Sequence, residues 1–229
     1  MIIKPINQTH LEHNFEHFTK SAMSATRQDT RFFSGQINNF QKQYKNFGML
    51  DVFSEKLVGF AENLQQKGQK DFAGIVYSGL AKLPISKEKR ISILEKAIAN
   101  AEEQGDKFHV LARVVDLKKL YKSEGMSKKY VKTLLKEEKC LKGIVSDFEE
   151  AKKTFKTVSK ETATERAYRL RLAFARIDIA KTCMKENPKL ALSKIKDAKK
   201  VFQSQGRTKE VDFADNLIAQ ITTRKTRHS

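Results

Sequence analysis

The chain has 229 residues, 39% hydrophobic and 31% charged, with a net charge of +18. That length supports a substantial core, and three prolines, ten glycines and no tryptophan favour long helices over strands. No apolar run reaches the roughly 18 residues of a membrane span, and the opening MIIKPINQTH lacks the apolar stretch of a signal peptide.

Residues 1–8 read as an extended lead-in, and Thr9 to Glu12 matches a capping box ahead of a short helix carrying Leu11, Phe15 and Phe18. Residues 20–27 are small and polar and read as a linker, so 1–27 is expected to form an arm, partly mobile or docked on the body. From about Asp29, the row Phe33, Ile37, Phe40, Tyr44 and Phe47 has helical spacing and stops at Gly48. Leu50, Phe53, Leu57, Phe60 and Leu64 continue to Gly68, and a shorter helix with Phe72, Ile75, Val76 and Leu80 ends at Pro84. Ser86 caps the next helix, whose row of Ile91, Leu94, Ala97 and Ala101 closes at Gly105.

The segment 107–123 is apolar on two sides, with Phe108, Leu111, Ala112 and Val115 on one and Val110, Val114, Leu117 and Tyr121 on the other. Such a helix belongs between neighbours. A long Lys-rich segment follows from Ser127 to about Val158, with Gly143 as its expected break. Two-sidedness returns over 162–186: Ala163, Ala167, Leu170, Phe174 and Ile177 line one face, and Tyr168, Leu172, Ile179 and Cys183 the other. Pro188 opens a helix that ends at Gly206. A last one carries Val211, Ala214, Leu217, Ile218 and Ile221 before a basic tail, 224–229.

Three segments share one spacing without gaps: Leu57, Phe60, Leu64, Gly68; Leu94, Ala97, Ala101, Gly105; and Ile195, Ala198, Phe202, Gly206. Their glycines lie 37 and 101 residues apart, the second distance close to three periods of about 34. With Leu94, Ala97, Ile98 and the Gly105-Asp106 turn, the chain resembles the tetratricopeptide-repeat (TPR) family over about residues 50–222. The resemblance implies an all-α, right-handed α-solenoid of stacked antiparallel helix pairs, eight or nine helices within a domain spanning 28–223. It also implies a concave groove lined by the first helix of each pair.

If 107–123 and 162–186 line that groove, their polar strips place His109, Arg113 and Asp116 beside Arg171 and Asp178, with both signs available to a peptide; ordinary pairing between helices is the competing use. Arg166, Arg169 and Arg176 form a separate basic strip, either a phosphate- or acid-binding patch or solvated surface. His10, His13 and His17 share one side of the first helix, a geometry a metal could use, though as a terminal stripe without supporting ligands they read first as solvated. Cys140 and Cys183 are isolated, which suits a reducing, cytoplasmic setting. No phosphate-binding loop, HExxH or GxSxG motif occurs. The positive charge is dispersed among acids: either a genome-wide lysine bias or an acidic partner accounts for it. The expected function is therefore a non-enzymatic protein–protein interaction module without a cofactor: an adaptor, chaperone-like or regulatory protein that holds a peptide or helix. The alternative is RNA or other nucleic-acid binding through the basic surface, weakened because nearly every aromatic falls on a core row. Metal-dependent catalysis at the histidine stripe is a third reading, and it would need ligands beyond that stripe.

Overall fold

The computed structural model describes residues 7–24, 30–154 and 161–226. Among them ten helices form, one in the arm and nine after it, within the eight or nine that the repeat reading expects from residue 28 on: α1 (Gln8–Ser24), α2 (Thr30–Asn46), α3 (Leu50–Gln66), α4 (Lys70–Leu80), α5 (Lys87–Glu103), α6 (Lys107–Ser123), α7 (Ser127–Thr154), α8 (Ala163–Cys183), α9 (Pro188–Ser204) and α10 (Thr208–Thr226). The chain divides into two compact units, Met1–Asp106 and Lys107–Ser229. Inside each, helices pack chiefly on their neighbours in sequence, as an all-α stack of hairpins requires.

One turn is used five times. Gly48, Gly68, Gly105, Gly125 and Gly206 all have φ between 65° and 77°, the left-handed region where a side chain is strained. The amide of the residue after each glycine donates back to a carbonyl five residues earlier: Met49 to Tyr44 (2.9 Å), Gln69 to Leu64 (2.8 Å), Asp106 to Ala101 (3.0 Å), Met126 to Tyr121 (2.9 Å) and Arg207 to Phe202 (2.9 Å). These are Schellman closures, and every accepting residue is buried. The spacing read from three segments holds in two more, Ile37, Phe40, Tyr44, Gly48 and Val114, Leu117, Tyr121, Gly125. All fifteen apolar positions of the five copies are buried.

The first unit gathers an aromatic core. Phe15 of α1 meets Phe40 (5.2 Å between ring centroids), Phe53 (5.6 Å) and Tyr44 (5.9 Å) edge-on, contacts worth about 0.5–1.5 kcal/mol each beyond burial. With Leu11 these rings dock α1 on α2 and α3. Burial pushes the Tyr44 hydroxyl, helped by Glu12 and Glu16, up to about 12. The helix pair α3 and α5 is laced along one edge by residues 34 to 38 apart: Glu55 and Asp51 to Lys89 (3.1 and 3.3 Å), Glu62 to Lys96 (2.5 Å), and Gln65 to Glu103 (3.2 Å). One repeat thus lies against the next with the period that the glycine spacing implies.

Several expectations fail for identifiable reasons. The α1 cap is Asn7, whose Oδ1 accepts from the His10 amide at 2.8 Å, so Thr9 lies inside the first turn; Asn is the stronger capping residue, and starting there adds hydrogen-bonded turn. The expected linker from residue 20 is helical to Ser24, because Ala22 buries its methyl on the core; 25–27 fall outside the described residues. Gly143 does not break α7. It sits mid-helix, where a Cβ would come within 3.3 Å of the Lys107 chain, whose ammonium reaches Asp147 at 2.6 Å. The end of the segment, Phe155 to Val158, also lies outside the described residues. Phe47 and Phe108 are exposed, each at a helix end beyond the reach of its row. On α8 the inward rows are rotated. Leu170, Ala173, Ile177 and Ala180 face α9 and α10, whereas Tyr168, Leu172 and Ala175 face α7 with Leu111. Phe174, Ala163 and Ala167 are exposed. The sandwich expected for this helix is nonetheless present, since α8 packs on both α7 and α9.

The glycine turn makes a direct prediction. Gly105→Ala places a side chain at φ 68° with open space around it, so backbone strain alone should cost about 1 kcal/mol. Gly59→Ala, in the α3 interior with no atom near the new methyl, should raise stability by about 0.5–1 kcal/mol. Urea melts of the two variants should move in opposite directions; matching shifts would sink the turn argument.

Candidate functional site

The second unit carries an ion-pair system that the sequence reading did not single out. In α7, Glu137 and Glu138 fall on the buried stripe between Leu134 and Leu141, so helical geometry forces both carboxylates inward. Being adjacent, they diverge. Glu137 accepts from Lys118 of α6 at 2.6 Å, and Lys118 stands 4.0 Å from Asp178 of α8. Glu138 faces the other way, toward α8 and α9. It accepts both Lys194 contacts (2.7 and 2.8 Å), Arg176 Nε (3.3 Å) and Lys142 Nζ (3.1 Å).

A third buried acid, Glu165, opens α8. Thr162 caps that helix by accepting from the Glu165 amide at 3.1 Å, and the carboxylate, fully buried, meets Lys152 of α7 (2.5 Å) and Arg169 (2.9 Å). Arg169 also reaches Glu149 of α7 (2.8 Å) and Glu161 (3.1 Å). A buried carboxylate without such partners would be protonated. Burial pushes both Glu138 and Glu165 upward. For Glu138 the bonds from Lys194 and Lys142 outweigh this, and for Glu165 those from Lys152 and Arg169 do; both groups are held below the ordinary value of 4.5. Burial raises the Cys183 thiol, which disfavours the nucleophilic thiolate there.

Between α7, α8 and α9 lies a depression of about 250 Å³. Val145, Leu172 and Val201 form its apolar floor; Lys142, Arg169, Arg176 and Glu149 stand around it. Two members of the expected basic strip, Arg169 and Arg176, therefore meet at one place, while Arg166 is exposed and pairs with Glu161 at 3.4 Å. Of the expected groove residues, Arg113 is largely covered and faces Asp116 at 3.6 Å, Asp178 lies beside Lys118, and His109 and Arg171 are exposed. His10, His13 and His17 are all exposed, and among the described residues no group of three His, Cys, Asp or Glu side chains is placed to hold a metal.

A second surface lies on the opposite polar strip of α8. Arg171, Phe174, Asp178 and Lys181 follow one another at three- and four-residue spacing, which puts them on one side of the helix. Phe174 is 45% exposed and Phe213 of α10 is 41% exposed. Phe174 leans on Phe202 (5.2 Å), and the Lys181 ammonium lies 4.5 Å from the Phe213 ring centre. The sequence hides this because Phe174 sits at core spacing, in one row with Leu170 and Ile177.

The hairpin plan, with its repeated glycine turn, is TPR-like in a loose sense. No family model matches the chain, and no curated protein does. Among solved structures, the crystal structure of nearly identical TPR-like repeats in a Podosopora anserina chain designated a kinesin light chain is similar at 13% identity, covering 86% of this chain and 98% of that one, with a TM-score of 0.30. Among the described residues no helix is long and apolar enough to cross a membrane.

The buried acids set a pH response. A lowered folded pKa stabilises the fold fully above the ordinary carboxylate value, and that contribution is lost as pH falls from about 4.5 down through the folded value. Thermal melts between pH 7 and 3 should therefore lose stability over that acidic window. Glu138→Gln should flatten part of the slope and cost about 3 kcal/mol at neutral pH, because Lys194 and Arg176 lose their shared counter-ion. Lys199→Ala, which removes the exposed pair with Asp215 (2.6 Å), should cost less than about 1 kcal/mol. Equal costs for the two variants would contradict the assignment of Glu138 as the buried hub.

Proposed function

We propose that the chain is a non-enzymatic protein-interaction module that holds a peptide or helix against the α8–α10 surface. The observation that carries this reading is the exposed Phe174 on a strip of α8 that also bears Arg171, Asp178 and Lys181, with the exposed Phe213 of α10 beneath the Lys181 ammonium. Large aromatics left half in water, flanked by both signs of charge, are the composition of a binding hot spot with a polar rim. The other expected groove residues, Arg113 and Asp116 (3.6 Å apart) with His109 on α6, would offer donors and acceptors to the backbone amides and carboxylates of an extended segment. A protein of this kind works by positioning its partner, so adaptor, chaperone-like or regulatory roles in the cytoplasm fit it equally.

The competing use of the net charge of +18 is nucleic-acid binding. A pull-down of the tagged chain from its own lysate, with and without nuclease and at two salt concentrations, separates the two. A protein partner should survive nuclease and high salt, and Phe174→Ser together with Phe213→Ser should weaken its retention at least tenfold, the scale of losing two aromatic anchors. Material that nuclease removes and that fades steeply with salt would replace this reading with the nucleic-acid one.

A further inference from the structure

The geometry points to the depression between α7, α8 and α9 as a binding site for a dianionic phosphoryl group, carried by a phosphorylated side chain or present as free phosphate. This rests on the second unit alone and stands apart from the peptide surface on the other side of α8.

The first argument is charge balance. The deeper acids already hold lysines of their own: Glu138 takes Lys194 through both oxygens, and Glu165 takes Lys152. Arg166 offsets Glu161. Lys142 and Arg176 also touch Glu138, and Arg169 also touches Glu165, Glu161 and Glu149, yet six cations face four acids in this cluster, a surplus of two positive charges. Arg176 is only 14% exposed, so water screens little of that surplus. A phosphomonoester carries close to two negative charges at neutral pH and matches it; a carboxylate or a phosphodiester carries one and leaves half uncompensated.

The second argument is geometry. Arg176 lines the depression and spends its Nε on Glu138 at 3.3 Å, a bond that orients the guanidinium and leaves its terminal nitrogens out of that contact. Arg169 is likewise fixed by Glu149 and Glu165 at 2.8 and 2.9 Å. Those bonds engage Nε and Nη2 of Arg169 and leave Nη1, so the terminal nitrogens of Arg176, Nη1 of Arg169 and the ammonium of Lys142 supply donors for the three phosphoryl oxygens. The floor of Val145, Leu172 and Val201 lowers the local dielectric, which strengthens each contact, and offers a seat for the carbon chain of the ester.

The test uses the full chain and two probes, inorganic phosphate and a fluorescent phosphoserine peptide, followed by anisotropy at near-physiological salt. The phosphopeptide should bind, its unphosphorylated twin and an aspartate-substituted version should bind at least tenfold more weakly, and phosphate should displace it. Phosphate binding as tightly as the peptide would identify the free anion as the ligand; a clear preference for the peptide would identify the protein-borne group. Lys142→Gln, at a side chain already half exposed, should keep the melting temperature and weaken phosphate binding about tenfold, the loss of one charge-assisted contact. Arg176→Gln should do at least as much. Equal affinity for the three peptides, or variants that bind phosphate like the parent, would overturn the assignment.

Discussion

The hydrogen bond that crosses each left-handed glycine is the constraint from which the architecture follows. It joins the first residue beyond the glycine to a carbonyl five residues back, and that carbonyl belongs to Tyr44, Leu64, Ala101, Tyr121 or Phe202. Each of these is a core residue, so the direction of the turn and the packing of the helix are decided by the same side chain. The next helix starts within a few residues and must fold back antiparallel, bringing its own apolar row to the one just finished. A hairpin defined this locally needs no distant partner to choose its form, which is why the pattern can be repeated with unrelated residues between the fixed positions.

Stacking hairpins has an electrostatic consequence. A helix with neighbours on two sides has little solvent-facing arc, and a chain with 31% charged residues cannot keep them all there. In α7 the conflict appears as Glu137 and Glu138, adjacent in sequence and both on the buried stripe. The fold resolves it with long side chains from neighbouring helices: Lys118 for the first, Arg176 and Lys194 for the second. Such pairs add little stability compared with apolar packing, yet each removes a severe penalty and ties three helices into one register. Gly143 belongs to the same arrangement. By withholding a side chain it lets Lys107 lie across α7 and reach Asp147, where a larger residue would push it off.

How much of this was legible in the sequence depended on whether local spacing or tertiary crowding decided the outcome. The glycine spacing is readable in three segments and present in five; the other two, ending at Gly48 and Gly125, have tyrosine at the position that accepts the turn bond, and Tyr44 and Tyr121 read as ordinary members of an aromatic or mixed row. Pro188 and Ser86 marked helix starts correctly because capping is a matter of one turn. The rotation of α8 was not legible: its apolar residues surround the helix, and only the neighbours determine that Ala173 and Ala180 go inward while Phe174 stays out. Small residues won those inward places because helices in close contact have room for methyl groups and none for a phenyl ring. The buried acids were hidden for a related reason, since the KEEK run in α7 looks like a solvated face until the row of Leu134, Leu141 and Ile144 is drawn through it.

The same crowding recasts the meaning of the positive charge. Read along the chain, lysines and arginines alternate with acids and suggest only a dispersed excess. In the second unit the alternation is redistributed: Lys118, Lys152 and Lys194 are drawn inward to Glu137, Glu165 and Glu138, and Arg169 and Arg176 of α8 are held by acids of α7. A cation used once for the fold can still present its remaining donors, as Arg176 does when it binds Glu138 through Nε alone. Binding capacity on such a surface is therefore set less by how many cations it carries than by which of them the buried acids leave oriented and uncompensated. By that criterion the two strips of α8 are different surfaces. One is an aromatic strip with charges of both signs, the surface proposed for a peptide, and the other a half-covered cluster with two charges to spare, the one proposed for a compact anion.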